Sequence, residues 1–132
     1  MSTLDDTVLV ERASALPFDR TLERLTTAIA EAGMTIFAVV DHARNAREVG
    51  LTMSASTVLL YGKAAGGTPI MLASPRSALD LPLRVLVRED DEGKTLVSFH
   101  PIAAALEILG TPATLAARLV PAQALILEAI RS

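Results

Sequence analysis

The sequence contains no cysteine and no tryptophan, one tyrosine and three phenylalanines. Without cysteine there is no disulfide framework, no thiolate metal site and no cysteine nucleophile. Aromatic residues make up only 3% of the chain, so base stacking on single-stranded nucleic acid is poorly supplied. Positive charge is also scarce. Twelve Lys and Arg against fifteen Asp and Glu give a net charge of −3. No basic field is offered to a phosphate backbone, and nucleic acid is not an expected partner. Long apolar runs are missing as well. The longest charge-free run, Val49 to Gly62, contains Gly50, Ser54, Ser56 and Gly62 and is too short and too polar to span a bilayer. Met1 to Asp6 has no basic stretch ahead of an apolar one and does not read as a signal peptide. A cytoplasmic location with no membrane partner is the expectation.

What remains is a greasy chain. Hydrophobic residues make up 51% and charged residues 20% of the 132, which excludes disorder by composition. Mean hydropathy is +0.43. The length favours one domain over residues 1–132, with no linker, repeat or low-complexity tract to divide it. A small chain with this much apolar surface is expected to hide part of it against a partner, and a second copy of itself is the simplest one.

Periodicity gives the elements. Thr7 to Arg12 reads as a first strand. Phe18, Leu22, Leu25, Ile29 and Ala32 recur at helical steps behind Pro17, with Gly33 placed as a left-handed stop. Thr35 to Val40 is an almost continuous apolar run with β-branched residues and reads as a central strand. Asp41 then caps a short helix, His42 to Glu48, which Gly50 ends. Thr57 to Tyr61 is the next strand, and Gly62 to Gly67 a small-residue loop. Thr68 and Pro69 read as the N-cap and first residue of a helix through Ala73, stopped by Pro75. Leu83 to Arg88 and Lys94 to Phe99 flank an acidic turn ending in Gly93, a hairpin pattern. Pro101 to Leu109 is helical up to Gly110, Thr111 and Pro112 restart a helix, and Pro121 must kink or break it before the last helix, Ala122 to Arg131. Only the first strand–helix–strand unit suggests a crossover. The expectation is an α+β fold with helices packed on one sheet face.

Several segments match a known pattern. They are Phe18-Asp19, the stretch Phe37 to His42, Ala46 to Gly50, Gly62 followed by Gly67 to Met71, Pro75, and Leu79-Asp80-Leu81-Pro82-Leu83. Together they resemble the domain of unknown function 302 family, over most of the chain but not beyond Gly110. The resemblance implies a curved antiparallel sheet of about five strands with helices on one side, similar to the TATA-binding-protein-like fold. It also implies a homodimer, and no established reaction. Two positions depart from the pattern: Lys63-Ala64 stands where the family often has Asn-Pro, and Phe99-His100 where it often has Tyr-Asn. A ligand touching those positions would differ accordingly.

Candidate chemistry is sparse. His42 and His100 are the only histidines, and each follows a strand. Histidine serves as acid, base or metal ligand. The simplest reading of Asp41-His42 is nonetheless a helix cap and its first-turn neighbour. No i, i+4 ligand spacing occurs, so no metal and no cofactor are assigned. No Gly-x-Ser-x-Gly elbow exists, and Thr68 is most simply an N-cap. Asp41 and Asp80 form a carboxylate pair only if the fold joins them. The Gly62 to Thr68 loop has its lysine, Lys63, at the wrong end for a P-loop. Its glycines can still present N–H groups to an anion. Met34, Met53 and Met71 read first as core filler. Arg84 and Arg88 alternate with Val85 and Val87 as on a solvated sheet face.

These readings lead to a homodimeric binding or interaction protein. Its site, for a small anionic or apolar ligand, is expected at Asp41, His42, Gly67 and Thr68, with Met71 as an apolar wall. The alternative is a small cytoplasmic hydrolase or isomerase using His42 with Asp41 or Asp80. A purely structural dimer would have no cleft at all.

Overall fold

The computed structural model describes residues 5–131. Five strands, β1 (Val10–Ala13), β2 (Thr35–Asp41), β3 (Ser56–Gly62), β4 (Leu83–Glu89) and β5 (Thr95–Phe99), form one antiparallel sheet in the order β1-β5-β4-β3-β2. The hairpin foreseen around Gly93 is present, with Glu89 opposite Thr95. The first strand starts later than its apolar pattern suggests, at Val10, where pairing to Phe99 begins.

The run Thr35 to Asp41 is the main departure. Its apolar continuity suggests a strand buried on both sides, yet β2 pairs only with β3 and forms an edge. Phe37 is 51% and Val39 58% exposed. A continuous apolar run reports that a strand is sticky, and it does not say how many neighbours the strand finds.

The crossover is real and spans the whole sheet. Helix α1 (Phe18–Glu31) joins β1 to β2, which lie at opposite edges. Its 14 residues cover about 21 Å, close to the roughly 19 Å of four strand spacings. Leu25 and Ile29 on its inner stripe are fully buried. Gly33 follows at φ 77°, the left-handed conformation that ends the helix.

The remaining helices are α2 (His42–Glu48), α3 (Ala64–Ala73), α4 (Ile102–Ile108), α5 (Ala113–Ala116) and α6 (Val120–Ala129). A 3-10 turn, Ala117–Leu119, separates α5 from α6, and Pro121 lies in the first turn of α6, where its missing N–H is harmless. Leu59, Tyr61, Val85, Val87 and Val97 alternate onto one sheet face. There they meet Leu25 and Ile29 of α1, Leu106 of α4 and Ile126 of α6 in a single core cluster.

Helix α3 begins five residues earlier than its sequence suggests, at Ala64 rather than Pro69. Lys63 is the N-cap, so Gly66 and Gly67 are helical and not a loop, and Thr68 does not cap. The N–H groups of Gly66 and Gly67 both donate to the Lys63 carbonyl, at 2.9 and 3.0 Å.

Candidate functional site

The strand register decides which candidate residues meet. Asp41 pairs with Thr57, and Thr35 pairs with Gly62 at the other end of the same two strands. Thr57 and Gly62 are five residue steps apart on β3, roughly 17 Å at about 3.3 Å per residue. Asp41 and His42 therefore lie at one end of the sheet, and Gly67, Thr68 and Met71 at the other. The shared cleft expected from the sequence is not formed. The cause is the antiparallel pairing, which sends the turns after β2 and β3 to opposite ends.

At the first end, Asp41 acts as a cap. Its Oδ1 accepts a hydrogen bond from the Arg44 N–H at 2.9 Å. His42 is the exposed first residue of α2. Asp80 closes the 3-10 turn Pro75–Asp80 just before β4, whose Leu83 pairs with Tyr61 near the Gly62 end of β3. Asp80 therefore does not join His42 or Asp41. It lies instead beside His100 and Arg84 in a small pocket of about 100 Å³. The His100 Nδ1 is 2.8 Å from the Val8 carbonyl, which ties the ring to the chain ahead of β1.

The other end holds a cleft of about 530 Å³, open to solvent on one side. Volumes of about 300–1,000 Å³ are usual for small-ligand sites. Helix α3 supplies Gly67, Thr68 and Met71, three of the five residues anticipated from the sequence. Leu81 and Pro82, joined by a cis peptide bond, form a second wall. Leu119, Ala122 and Leu125 around the start of α6 form a third.

Phe37 completes the apolar lining, and its placement has a specific cause. Ile36 pairs with Tyr61 and Ala38 with Leu60, which leaves Phe37 as an extra residue in a β-bulge. A bulge re-aims one side chain without disturbing the rest of the strand. Here it brings the Phe37 ring to the cleft, 3.8 Å from where a Cβ on Gly62 would sit.

Gly67 lines the cleft as a glycine inside a helix. Glycine inside a helix costs about 0.5–1 kcal/mol relative to alanine. An alanine Cβ would fit at Gly67, meeting Leu81 and Met71 at an ordinary 3.9 Å. The less stable residue thus stands where the more stable one fits, in the wall of a cleft.

The lining contains two charged residues, Lys63 and Arg118, and no Asp, Glu or His. Tyr61 lies beneath the site. Its hydroxyl donates to the carbonyl of Ala122, one of the wall residues, and burial pushes the phenol well above its ordinary range. Sequence reasoning does not place Phe37, Arg118 or Leu125 in a site, and no local signal marks a bulge or the far end of the chain as part of one. Lys63 was visible, but only as a misplaced P-loop lysine.

With this geometry in view, comparison with known proteins gives the family. The model for the domain of unknown function DUF302 matches residues 10–132. This chain belongs to the DUF302 family. The match runs through the segment after Gly110, which the sequence resemblance left out and which contributes Arg118, Leu119, Ala122 and Leu125 to the cleft. A crystal structure of an uncharacterized conserved DUF302 protein from Bacillus stearothermophilus superimposes with a TM-score of 0.80. It is 12% identical, with 93% of this chain and 95% of that one covered. At that identity the likeness shows the fold.

Two curated relatives are named fluoride-specific ion channel FluC 1, from Brucella suis biovar 1 and Brucella abortus biovar 1. Each is 34% identical over 100 residues, 76% of this chain. The chain spans only 39% and 37% of their lengths. Among the described residues of this DUF302 protein, no helix is long and apolar enough to cross a membrane.

Proposed function

We propose that this DUF302 protein is a binding protein whose cleft at the Gly62 end of the sheet holds a small, mainly apolar ligand. The observation that carries this reading is the cleft itself. It is lined chiefly by Met34, Phe37, Met71, Leu81, Leu119 and Leu125 and shaped by the bulge at Phe37. Because no carboxylate or imidazole lines it, binding is preferred over acid–base catalysis. Asp41 and His42 belong to the helix start at the far end and are not assigned to this site. The segment shared with the fluoride channels has no spanning helix in this chain, and fluoride conduction is not proposed for it.

The test uses the neutral fluorescent probe phenylnaphthylamine. Its emission should rise on adding the protein and stay low with Gly67→Leu, which fills the cleft, while circular dichroism shows both proteins folded. Equal emission with the two proteins would place the probe elsewhere and remove the proposal.

We further propose that the protein is a homodimer. The support is the apolar excess of the chain and the exposed apolar side chains Phe37 and Val39 on the edge strand β2. Light scattering at micromolar concentration should give about twice 13.9 kDa; the mass of a single chain would refute it.

A further inference from the structure

We infer that the cleft ligand is an amphipathic carboxylate, its apolar body in the cleft and its carboxylate held at the mouth by Lys63 and Arg118. This inference rests on the cleft reading above and adds the chemical class.

The argument is charge complementarity. The chain carries more acidic than basic residues, fifteen against twelve. The two charged residues lining the cleft are nonetheless both cations. They come from separate elements, Lys63 from the N-cap of α3 and Arg118 from the 3-10 turn before α6. Among the described residues neither is in an ion pair. No carboxylate of the protein lines the cleft to neutralise them. The rest of the lining is apolar apart from Thr68 and backbone. A ligand that satisfies both parts is apolar at one end and anionic at the other. Two cations and one hydroxyl suit the two oxygens of a carboxylate. An uncharged apolar ligand would leave the cations unused, and an apolar amine would meet them with like charge.

The experiment compares three ligands of one chain length, decanoate, decanol and decylamine, below their micelle concentrations. Each is titrated against bound phenylnaphthylamine and, separately, by calorimetry. Decanoate should bind at least about tenfold more tightly than decanol, as expected when a charge-assisted contact is gained. Decylamine should bind worst. In the double variant Lys63→Gln, Arg118→Gln the gap between decanoate and decanol should close. Added salt should weaken decanoate and leave decanol alone. If decanol binds as tightly as decanoate, or decylamine binds best, the carboxylate inference falls while the cleft reading stands. If the probe and all three ligands fail to bind, both fall.

Discussion

The Tyr61 hydroxyl donates a hydrogen bond to the Ala122 carbonyl at 3.0 Å, joining the end of β3 to the first turn of α6 across 61 residues of sequence. The side chain is fully buried, and Ala122 lines the cleft. One bond thus ties the sheet to the helix that walls the site.

This buried phenol makes stability sensitive to alkali. Its ordinary value is 10.0, and burial raises it by disfavouring the charged form. The folded state therefore holds its proton at pH values where the unfolded chain loses it. The stability linked to Tyr61 is intact below about pH 10 and is lost as pH rises above that value. Because Tyr61 is the one tyrosine and there is no tryptophan, tyrosinate absorbance reports it without interference. The titration should be shifted upward in the folded protein and return to normal in urea. Tyr61→Phe should cost about 0.5–1.5 kcal/mol at neutral pH and flatten the alkaline decline. An unshifted titration in the folded protein would contradict the burial.

Leu25 and Thr27 test helix α1. Leu25 is fully buried and Thr27 is exposed. Leu25→Ala should lower stability by roughly 2–5 kcal/mol, and Thr27→Ala by less than about 0.5. Urea melts of the two variants read both values, and equal losses would mean that the stripe is misplaced.

Gly67 and Gly33 should respond to alanine with opposite signs. Gly67 is helical and has room for a methyl, so Gly67→Ala should raise stability by about 0.5–1 kcal/mol. Gly33 sits at φ 77°, where a Cβ costs about 1–2 kcal/mol. Thermal denaturation distinguishes them. A gain at Gly33 would be incompatible with the left-handed helix end.

Asp41 should matter for folding alone, and His42 for neither folding nor the cleft. Asp41→Ala removes the bond to the Arg44 N–H and should cost about 0.5–2 kcal/mol. His42→Ala, at an exposed site, should change stability by less than about 0.5. Neither should alter phenylnaphthylamine emission. A lost signal in His42→Ala would move the site back to the far end of the sheet.

Much of the local structure was legible because it depends on local chemistry. Asp41 as a cap followed from side-chain geometry. The glycines that read as helix ends, Gly33, Gly50 and Gly110, and the turn glycine Gly93 all have positive φ. The sequence pattern puts Gly66 and Gly67 in a loop because glycine pairs mark loops more often than helices. Here the burial of Ile70 in the core outweighs low propensity. Pro69 reads as a helix start and instead lies inside α3.

The sequence by itself determined the α+β class, the amphipathic α1, the hairpin and the absence of thiol chemistry. These depend on residue type and on periods of two and 3.6, which any short window displays. Only the tertiary structure decided that β2 is an edge, that Asp41 and Thr68 face opposite ends, and that Lys63 and Arg118 meet at one cleft. Those outcomes depend on strand pairing between residues far apart in the chain. The backbone groups that pair are the same at every position, so the sequence pattern does not choose the neighbour.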